Sequence, residues 1–155
     1  MSPTLRVVSL LIMIVFIAAC GGGDGAPAPG AVEDDQPDLI TVQHVLIGFD
    51  KTVPGKTDRT QAEAQTLANS VYEKAKAGEN FDELVKEYSD DNYPGVYELA
   101  NFGVDADKDM LQYNRKEMAK SFGDVAFSLQ VNEIGMANYD KSNSKYGWHI
   151  ILRLE

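Results

Sequence analysis

Two histidines, each in the middle of a short apolar run, constrain the fold of this chain more than any other feature. His44 lies within residues 40–47 and His149 within residues 146–152, and the sequence has no third histidine. The neighbouring residues are mostly β-branched or aromatic, which is typical of strands. A buried imidazole needs a hydrogen-bond partner, because burying an unsatisfied polar group is costly. We therefore expect the two histidines to form a paired polar core in one small domain.

The N-terminal residues 1–19 are typical of a secretion signal. Arg6 supplies a positive start, residues 7–17 are almost wholly apolar, and the sequence Ile-Ala-Ala-Cys ends at Cys20. The apolar run is shorter than the stretch of about 20 apolar residues that a membrane-spanning helix needs. Its ending resembles the bacterial lipoprotein box, in which the cysteine becomes the lipid-bearing first residue of the mature protein. We predict a lipoprotein signal peptide over 1–19 and lipidation of Cys20; the alternative is an ordinary secretory signal with an incidental cysteine.

The segment after the signal predicts a tethered extracytoplasmic domain. Cys20 is the only cysteine, so the chain cannot form an internal disulfide. Residues 20–38 are rich in Gly, Pro, Ala and acids, which predicts a flexible acidic tether. We expect a lipid anchor to the bacterial cell envelope, and Gly21 after the cysteine resembles outer-membrane sorting with exposure to the periplasm in Gram-negative bacteria. Residues 39–155 then suffice for one compact domain.

The charge of the chain argues against several classes of partner. The sequence has 24 Asp and Glu against 14 Lys and Arg. Loss of residues 1–19 removes Arg6 and no acid, so the formal net charge changes from −10 to −11. Nucleic-acid binding and electrostatic adhesion to anionic lipid both need clustered basic residues. We expect no nucleic-acid partner, and membrane association only through the lipid on Cys20.

Hydrophobic periodicity predicts four strands and three helical segments. The strands are at residues 39–49, 97–102, 136–139 and 146–154, and the helices begin near Thr60, begin near Asn80 and include residues 118–122. Thr60 with Glu63 and Asn80 with Glu83 have the spacing of helix N-terminal caps. The order β-α-α-β-α-β-β, without an internal repeat, predicts an α+β domain. Its helices would pack around a small, mostly antiparallel four-stranded sheet.

Six segments in order match the pattern of a known family. They are residues 44–47, 60–64, 78–90, 122–129, 132–134 and 146–151. Together they resemble the parvulin-type peptidyl-prolyl cis-trans isomerases over nearly all of residues 40–155. The resemblance implies a parvulin-like, FKBP-like fold and a rotamase that needs no cofactor. It also implies substrates that are unfolded or exported polypeptides with Xaa-Pro bonds.

The same resemblance implies roles for individual residues. The residues implied at the catalytic centre are His44, Asp91, Ser144 and His149. The residues implied at the pocket for the proline ring are Leu99, Met118, Phe122 and Phe127. Asp91 stands where the family has a cysteine or an aspartate after a Tyr/Phe-Ser-Asp motif. Without the resemblance, the apolar residues of the third helix are interpreted as ordinary core.

Two roles for the histidines are open. They either act on the amide directly, or hold the sheet together and orient Asp91 and Ser144. We favour the structural role, because their strands place them in the core, where a neutral hydrogen-bonded imidazole is least costly. No spacing of Cys, His and carboxylates supports a full set of metal ligands, so we predict no metal site.

Three departures from the family pattern affect the expected pocket. Tyr97 and Ala100 stand where glycines are common, and the connection over residues 103–117 is about ten residues longer than usual. The loop after His44 lacks the compact basic cluster of members that read phosphorylated Ser/Thr-Pro, so phosphate-directed specificity is not expected. Two functions follow: an isomerase that assists folding of exported proteins, which we favour, or a non-catalytic holdase chaperone that binds Pro-containing segments.

Overall fold

The computed structural model describes residues 36–53 and 58–155. The predicted signal, Cys20 and nearly all of the tether lie outside these residues. The elements are β1 (Leu39–Ile47), α1 (Gln61–Lys76), α2 (Phe81–Tyr88), β2 (Val96–Ala100), β3 (Gln112–Asn114), a 3₁₀ turn (Arg115–Glu117), α3 (Lys120–Ser128), β4 (Ile134–Ala137) and β5 (Trp148–Arg153). Within the described ranges, no helix has the length and apolar character needed to cross a membrane.

A single sheet in the order β3-β2-β1-β5-β4 organises the domain. β1 lies at its centre and pairs antiparallel with β2 and with β5, while β4 pairs antiparallel with β5. Only the β2–β3 pair of this sheet is parallel. The predicted α+β class and the mostly antiparallel sheet are confirmed.

Alternation along the two central strands divides the core between the two faces of the sheet. Val45 and Ile47 face a cluster that contains the buried residues of α1 and α2. Ile40 and Val42, on the opposite face, pack in a second cluster with the buried residues of α3. His44 has the parity of the second set, so the strand directs its side chain towards α3.

Local capping signals in the sequence fix the starts of the first two helices. Thr60 accepts a hydrogen bond from the Glu63 backbone N–H, and the Glu63 carboxylate accepts from the Thr60 backbone, which forms the predicted capping box. The Asn80 side chain accepts from the Glu83 backbone N–H at the start of α2. Both predicted caps are confirmed, and each supplies an acceptor to a backbone donor that a helix leaves unpaired.

Two sequence-based predictions about this fold are wrong in detail. The sheet has five strands rather than four, because β3 adds to the β2 edge within the long connection. Met118 precedes α3 and closes the 3₁₀ turn, so it lies outside the helix, which was predicted to include residues 118–122. The short strand has too few residues to show an alternating pattern, and the Met118 backbone is extended rather than helical.

Gly147, directly before β5, is required by its backbone contact with β1. Its φ is +148°, and a Cβ added there would lie 2.0 Å from the Ile47 carbonyl oxygen. Gly103 also has a positive φ, +81°, but a Cβ there would meet no heavy atom within 4 Å. A side chain at Gly103 would therefore introduce backbone strain alone, whereas a side chain at Gly147 would also overlap the β1 backbone.

We predict that Gly147→Ala destabilises the domain far more than Gly103→Ala. The Gly103 variant should lose about 1–2 kcal/mol, the cost of a left-handed residue with a Cβ. The Gly147 variant should lose a further ~1–3 kcal/mol or more, because the β1–β5 backbones must move apart. Chemical denaturation of both variants measures the difference, and equal losses would contradict this assignment.

Candidate active site

The sheet register brings the two histidines together on one face. His44 lies opposite Ile151 and His149 lies opposite Leu46 on the adjacent antiparallel strands, so the histidines are diagonal neighbours. Their Nδ1 atoms are 3.2 Å apart and their rings stack with centroids 5.4 Å apart. The expected paired polar core is present, and both residues are buried.

A chain of hydrogen bonds extends from this pair to the surface. The second ring nitrogen of His44, Nε2, lies 2.9 Å from Oδ2 of Asp91. The Tyr97 hydroxyl donates to the same oxygen at 2.8 Å. The other oxygen of Asp91 accepts the Asn92 backbone N–H at 2.8 Å. The carboxylate therefore has three donors, and two of them are side chains from different strands.

The loop after α2 delivers Asp91 because its preceding side chains bind the end of β1. The Ser89 hydroxyl accepts the Leu46 backbone N–H at 3.1 Å. Asp90 accepts the Gly48 backbone N–H at 2.8 Å and also pairs with Arg59. Three consecutive polar residues thus dock this loop on the central strand, which brings Asp91 to His44.

A cavity of about 280 Å³ lies beside this chain of polar groups. Its lining includes His44, Asp91, Tyr97, Met118, Phe122 and Tyr146. The Phe122 ring packs against both histidines, with centroids 5.2 Å from each. The cavity combines an apolar wall with a few polar groups, among them the hydrogen-bonded Asp91 carboxylate, which is the usual composition of a small-ligand site.

Burial and hydrogen bonding set the ionisation of these groups. Burial lowers the pKa of His149 to about 3, with the nearby His44 as a second cause. Its Nε2 is buried without a partner in the part of the chain that the structure describes, so a proton there would lack an acceptor. His149 is therefore neutral at ordinary pH.

The Asp91 carboxylate is ionised and the Tyr97 phenol is protonated. The hydrogen bond from His44, and after it the one from Tyr97, holds the pKa of Asp91 well below its ordinary value despite burial. Burial and the bond to Asp91 raise the pKa of Tyr97 far above its ordinary value. These states match the geometry, because an ionised carboxylate only accepts hydrogen bonds and both of its side-chain neighbours then donate.

Comparison with known proteins identifies the family. The sequence model of the PPIC-type PPIASE domain matches residues 31–154. The chain belongs to this parvulin family. Foldase protein PrsA 4 of Bacillus cereus is 27% identical over 120 residues, which are 77% of this chain and 33% of that protein. Chaperone SurA of Chromohalobacter salexigens is 31% identical over 111 residues, which are 71% of this chain and 21% of that protein.

Solved structures show the same parvulin fold. The solution structure of TbPIN1 has a TM-score of 0.56 at 21% identity and covers 76% of this chain and 98% of that one. Peptidyl-prolyl isomerase ESS1 from Candida albicans has a TM-score of 0.53 at 20% identity, covering 76% of this chain and 63% of that one. The chain spans a third or less of the length of the two curated relatives.

Not every predicted site residue of this parvulin domain reaches the cavity. His44, Asp91 and His149 form one hydrogen-bonded group, and Met118 and Phe122 line the cavity beside it. Three other predicted residues are absent from the described lining: Leu99, Phe127 and Ser144.

Each of these three residues has a structural partner instead. Leu99 and Phe127 are buried in the cluster between the sheet and α3. The Ser144 hydroxyl donates to the Gly147 carbonyl at 2.9 Å, which supports the turn before β5. The described contacts of these residues are therefore with the core and with the turn before β5.

Tyr97 is a site residue that sequence reasoning missed. The family resemblance marks it only as a tyrosine in a position where glycine is common. The period-two alternation with Leu99 offered a signal, because both residues must face the same side of β2. Its partner Asp91 lies on a different loop, so the hydrogen bond itself leaves no local pattern in the sequence.

Over 36–53 and 58–155, no group of three His, Cys, Asp or Glu side chains has the geometry to hold a metal ion.

The depressed pKa of His149 predicts a loss of stability on acidification. Below the unfolded pKa of about 6.5, the unfolded chain binds a proton at this residue that the native His149 does not bind. The free energy of unfolding therefore decreases as the pH is lowered. For one proton the slope approaches about 1.4 kcal/mol per pH unit. Between pH 6.5 and 5, this group should cost about 2 kcal/mol.

Replacing His149 by asparagine should remove this slope while lowering stability at pH 7. The contribution of Asp91 is lost only near and below its unfolded pKa of about 3.9, so it falls outside this window. Urea denaturation at several pH values measures the two slopes. Equal slopes for the wild type and His149→Asn would show that His149 is not kept neutral by the fold.

Proposed function

We propose that this domain catalyses cis-trans isomerisation of Xaa-Pro peptide bonds, and that it assists the folding of exported proteins. The observation that carries the proposal is the apolar cavity with the Asp91 carboxylate in its lining. Met118 and Phe122 offer an apolar surface to a pyrrolidine ring. Family membership supports the same activity.

The reaction requires no covalent catalysis. The peptide bond has partial double-bond character, with a barrier of about 18–20 kcal/mol, and no bond breaks when it rotates. Uncatalysed isomerisation takes tens of seconds. Lowering the barrier by about 4 kcal/mol gives roughly a thousandfold acceleration. Fixed charges and an apolar slot can supply an effect of this size.

Asp91 is suited to disfavour the planar amide. Resonance places negative charge on the carbonyl oxygen of the planar forms, and twisting about the C–N bond removes that charge. A carboxylate near this oxygen raises the energy of the planar forms more than that of the twisted state. Holding the proline ring against Met118 and Phe122 while the carbonyl lies near Asp91 therefore lowers the rotational barrier.

The histidines act in this proposal as the support of Asp91. His149 is neutral and His44 donates to the carboxylate, so together they fix its direction from inside the core. Rotation of an amide requires no proton transfer. The structural role of the pair is therefore sufficient for the proposed reaction.

The exported setting rests on the N-terminal sequence and on two relatives. Residues 1–19 followed by Cys20 have the pattern of a lipoprotein signal, and the relatives are named as a foldase and a chaperone. We propose an extracytoplasmic domain anchored by lipid on Cys20 to a bacterial cell envelope. Its substrates would be unfolded or exported polypeptides that contain Xaa-Pro bonds.

A holdase without turnover is the second candidate. The observation that favours it is the exposed pair Met110 and Leu111, with 65% and 75% of their surface accessible. An exposed apolar tip on the long connection can contact unfolded chains without contributing to catalysis. Suppression of aggregation by a protein that shows no isomerisation would support this function over the first.

We predict that Met118→Ala lowers isomerisation of Xaa-Pro peptides while the protein keeps most of its stability. Met118 is partly exposed at the cavity wall, so truncation removes contact with the proline ring and leaves the core filled. Phe122→Ala should instead lose about 3–5 kcal/mol of stability, because Phe122 is only 1% exposed. A protease-coupled assay and thermal melts measure both properties.

The peptide panel should include alanine, lysine, glutamate and phosphoserine before proline. Among the described residues, the cavity lining contains no Lys or Arg, so phosphoserine should give no gain over alanine. Wild-type protein that accelerates none of these peptides would exclude the isomerase. Unchanged turnover in Met118→Ala would exclude the assigned pocket.

The lipid anchor is tested by a separate variant. If Cys20 is lipidated, the native protein should partition into the detergent phase, and Cys20→Ser should move it to the aqueous phase or leave it unprocessed. Mass spectrometry of the mature N-terminus provides the control. Equal partitioning of the two proteins would reject the anchor without affecting the proposed activity.

A further inference from the structure

Tyr97 is a second side-chain donor to the carboxylate at the centre of the site. Its hydroxyl lies 2.8 Å from Oδ2 of Asp91, and His44 Nε2 lies 2.9 Å from the same oxygen. Because Oδ1 is occupied by the Asn92 backbone N–H, rotation of the carboxylate would break bonds on both oxygens. Tyr97 thus restricts Asp91 together with His44 and the Asn92 backbone.

The Tyr97 ring has three aromatic neighbours, His44, Tyr113 and Phe122, of which Phe122 is the most distant. It meets the His44 ring edge to face with centroids 5.3 Å apart, and it meets the Tyr113 ring with centroids 5.4 Å apart. His44 belongs to the central strand, whereas Tyr113 belongs to β3 at the sheet edge. Edge-to-face contacts of this kind are favourable and restrict the ring.

Tyr113 is supplied by the long connection over residues 103–117. This segment returns as β3, which pairs parallel with β2 and sets Tyr113 opposite Leu99. The Gln112 side chain donates to the Glu98 carboxylate at 2.8 Å, one residue from Tyr97. Without the connection, β2 would be the edge strand and the outer side of the Tyr97 ring would lack this neighbour.

We propose that Tyr97 is a positioning residue for Asp91, and that the connection over 103–117 serves to hold Tyr97 through Tyr113. This inference rests on the proposed isomerase function for its kinetic consequence. Its structural part concerns only the orientation of a carboxylate.

The chemistry of the phenol suits this role. Burial keeps the pKa of Tyr97 far above its ordinary value, so the hydroxyl remains a donor at every pH at which the protein works. A free tyrosine side chain samples several rotamers, and each alternative would remove the bond to Asp91. The Tyr113 contact limits this sampling.

The first test is Tyr97→Phe, which removes the hydroxyl and keeps the ring packing. We expect kcat to fall about tenfold and KM not to rise, because a less firmly placed Asp91 carboxylate disfavours the bound planar amide less. Tyr93→Phe is the matched control. The Tyr93 hydroxyl also donates to a carboxylate, Asp82 at 3.3 Å, but Tyr93 is outside the described cavity lining. This control should retain wild-type kcat.

The second test is Tyr113→Leu, which removes the aromatic contact at the sheet edge. We expect a smaller fall in kcat in the same direction. Because Tyr113 acts through the Tyr97 hydroxyl, the double variant Tyr97→Phe/Tyr113→Leu should be no slower than Tyr97→Phe alone. Additive losses would show that Tyr113 contributes by another route and would overturn the role of the connection.

The third measurement does not depend on activity. The carboxyl ¹³C signal of Asp91 should titrate at higher pH in Tyr97→Phe than in the wild type, because one hydrogen bond to the ionised form is lost. An unchanged Asp91 titration, even with reduced kcat or thermal stability, would overturn the positioning role. If the wild type isomerises no peptide, the proposed function fails, and the titration still decides whether Tyr97 fixes Asp91.

Discussion

Two imidazoles buried side by side in a sheet are the interaction on which the rest of this domain depends. Each ring carries two nitrogens, and the Nδ1 contact between them satisfies only one on each side. The remaining nitrogen of His44 needs an acceptor, which only a residue brought from outside β1 and β5 can supply. The docking of the α2–β2 loop, which carries Asp91, meets that need. The loop that satisfies the buried His44 ring therefore also brings Asp91 into the site.

This dependence explains why the loop after α2 is so polar. Ser89 and Asp90 bind backbone donors at the end of β1, so the loop is fixed by main-chain contacts that tolerate many neighbouring side chains. Asp91 then follows in sequence and reaches His44 without a further turn. A run of residues that compete with the helix for hydrogen bonds both ends α2 and supplies the acceptor that the core lacks.

The parts of this structure that could be predicted are those with local causes. The caps at Thr60 and Asn80 follow from side-chain spacing, and the central strand follows from its apolar run. The edge strand β3 could not be predicted, because Gln112–Asn114 is short and polar and is stabilised by pairing with β2. The same limit applies to Tyr97, because its ring and hydroxyl meet partners from four separate segments, which no sequence window contains.

The site residues differ in whether they also contribute to the packed core. Phe122 contacts both histidines and also fills the core beneath α3, so truncating it disturbs the site through the fold. The histidines are constrained in the same way, since each is a member of the central strand pair. Met118 and Tyr97 differ because both are partly exposed and meet the cavity from its rim. The rim is therefore where side chains can alter the geometry of Asp91 or the shape of the cavity without a large loss of stability.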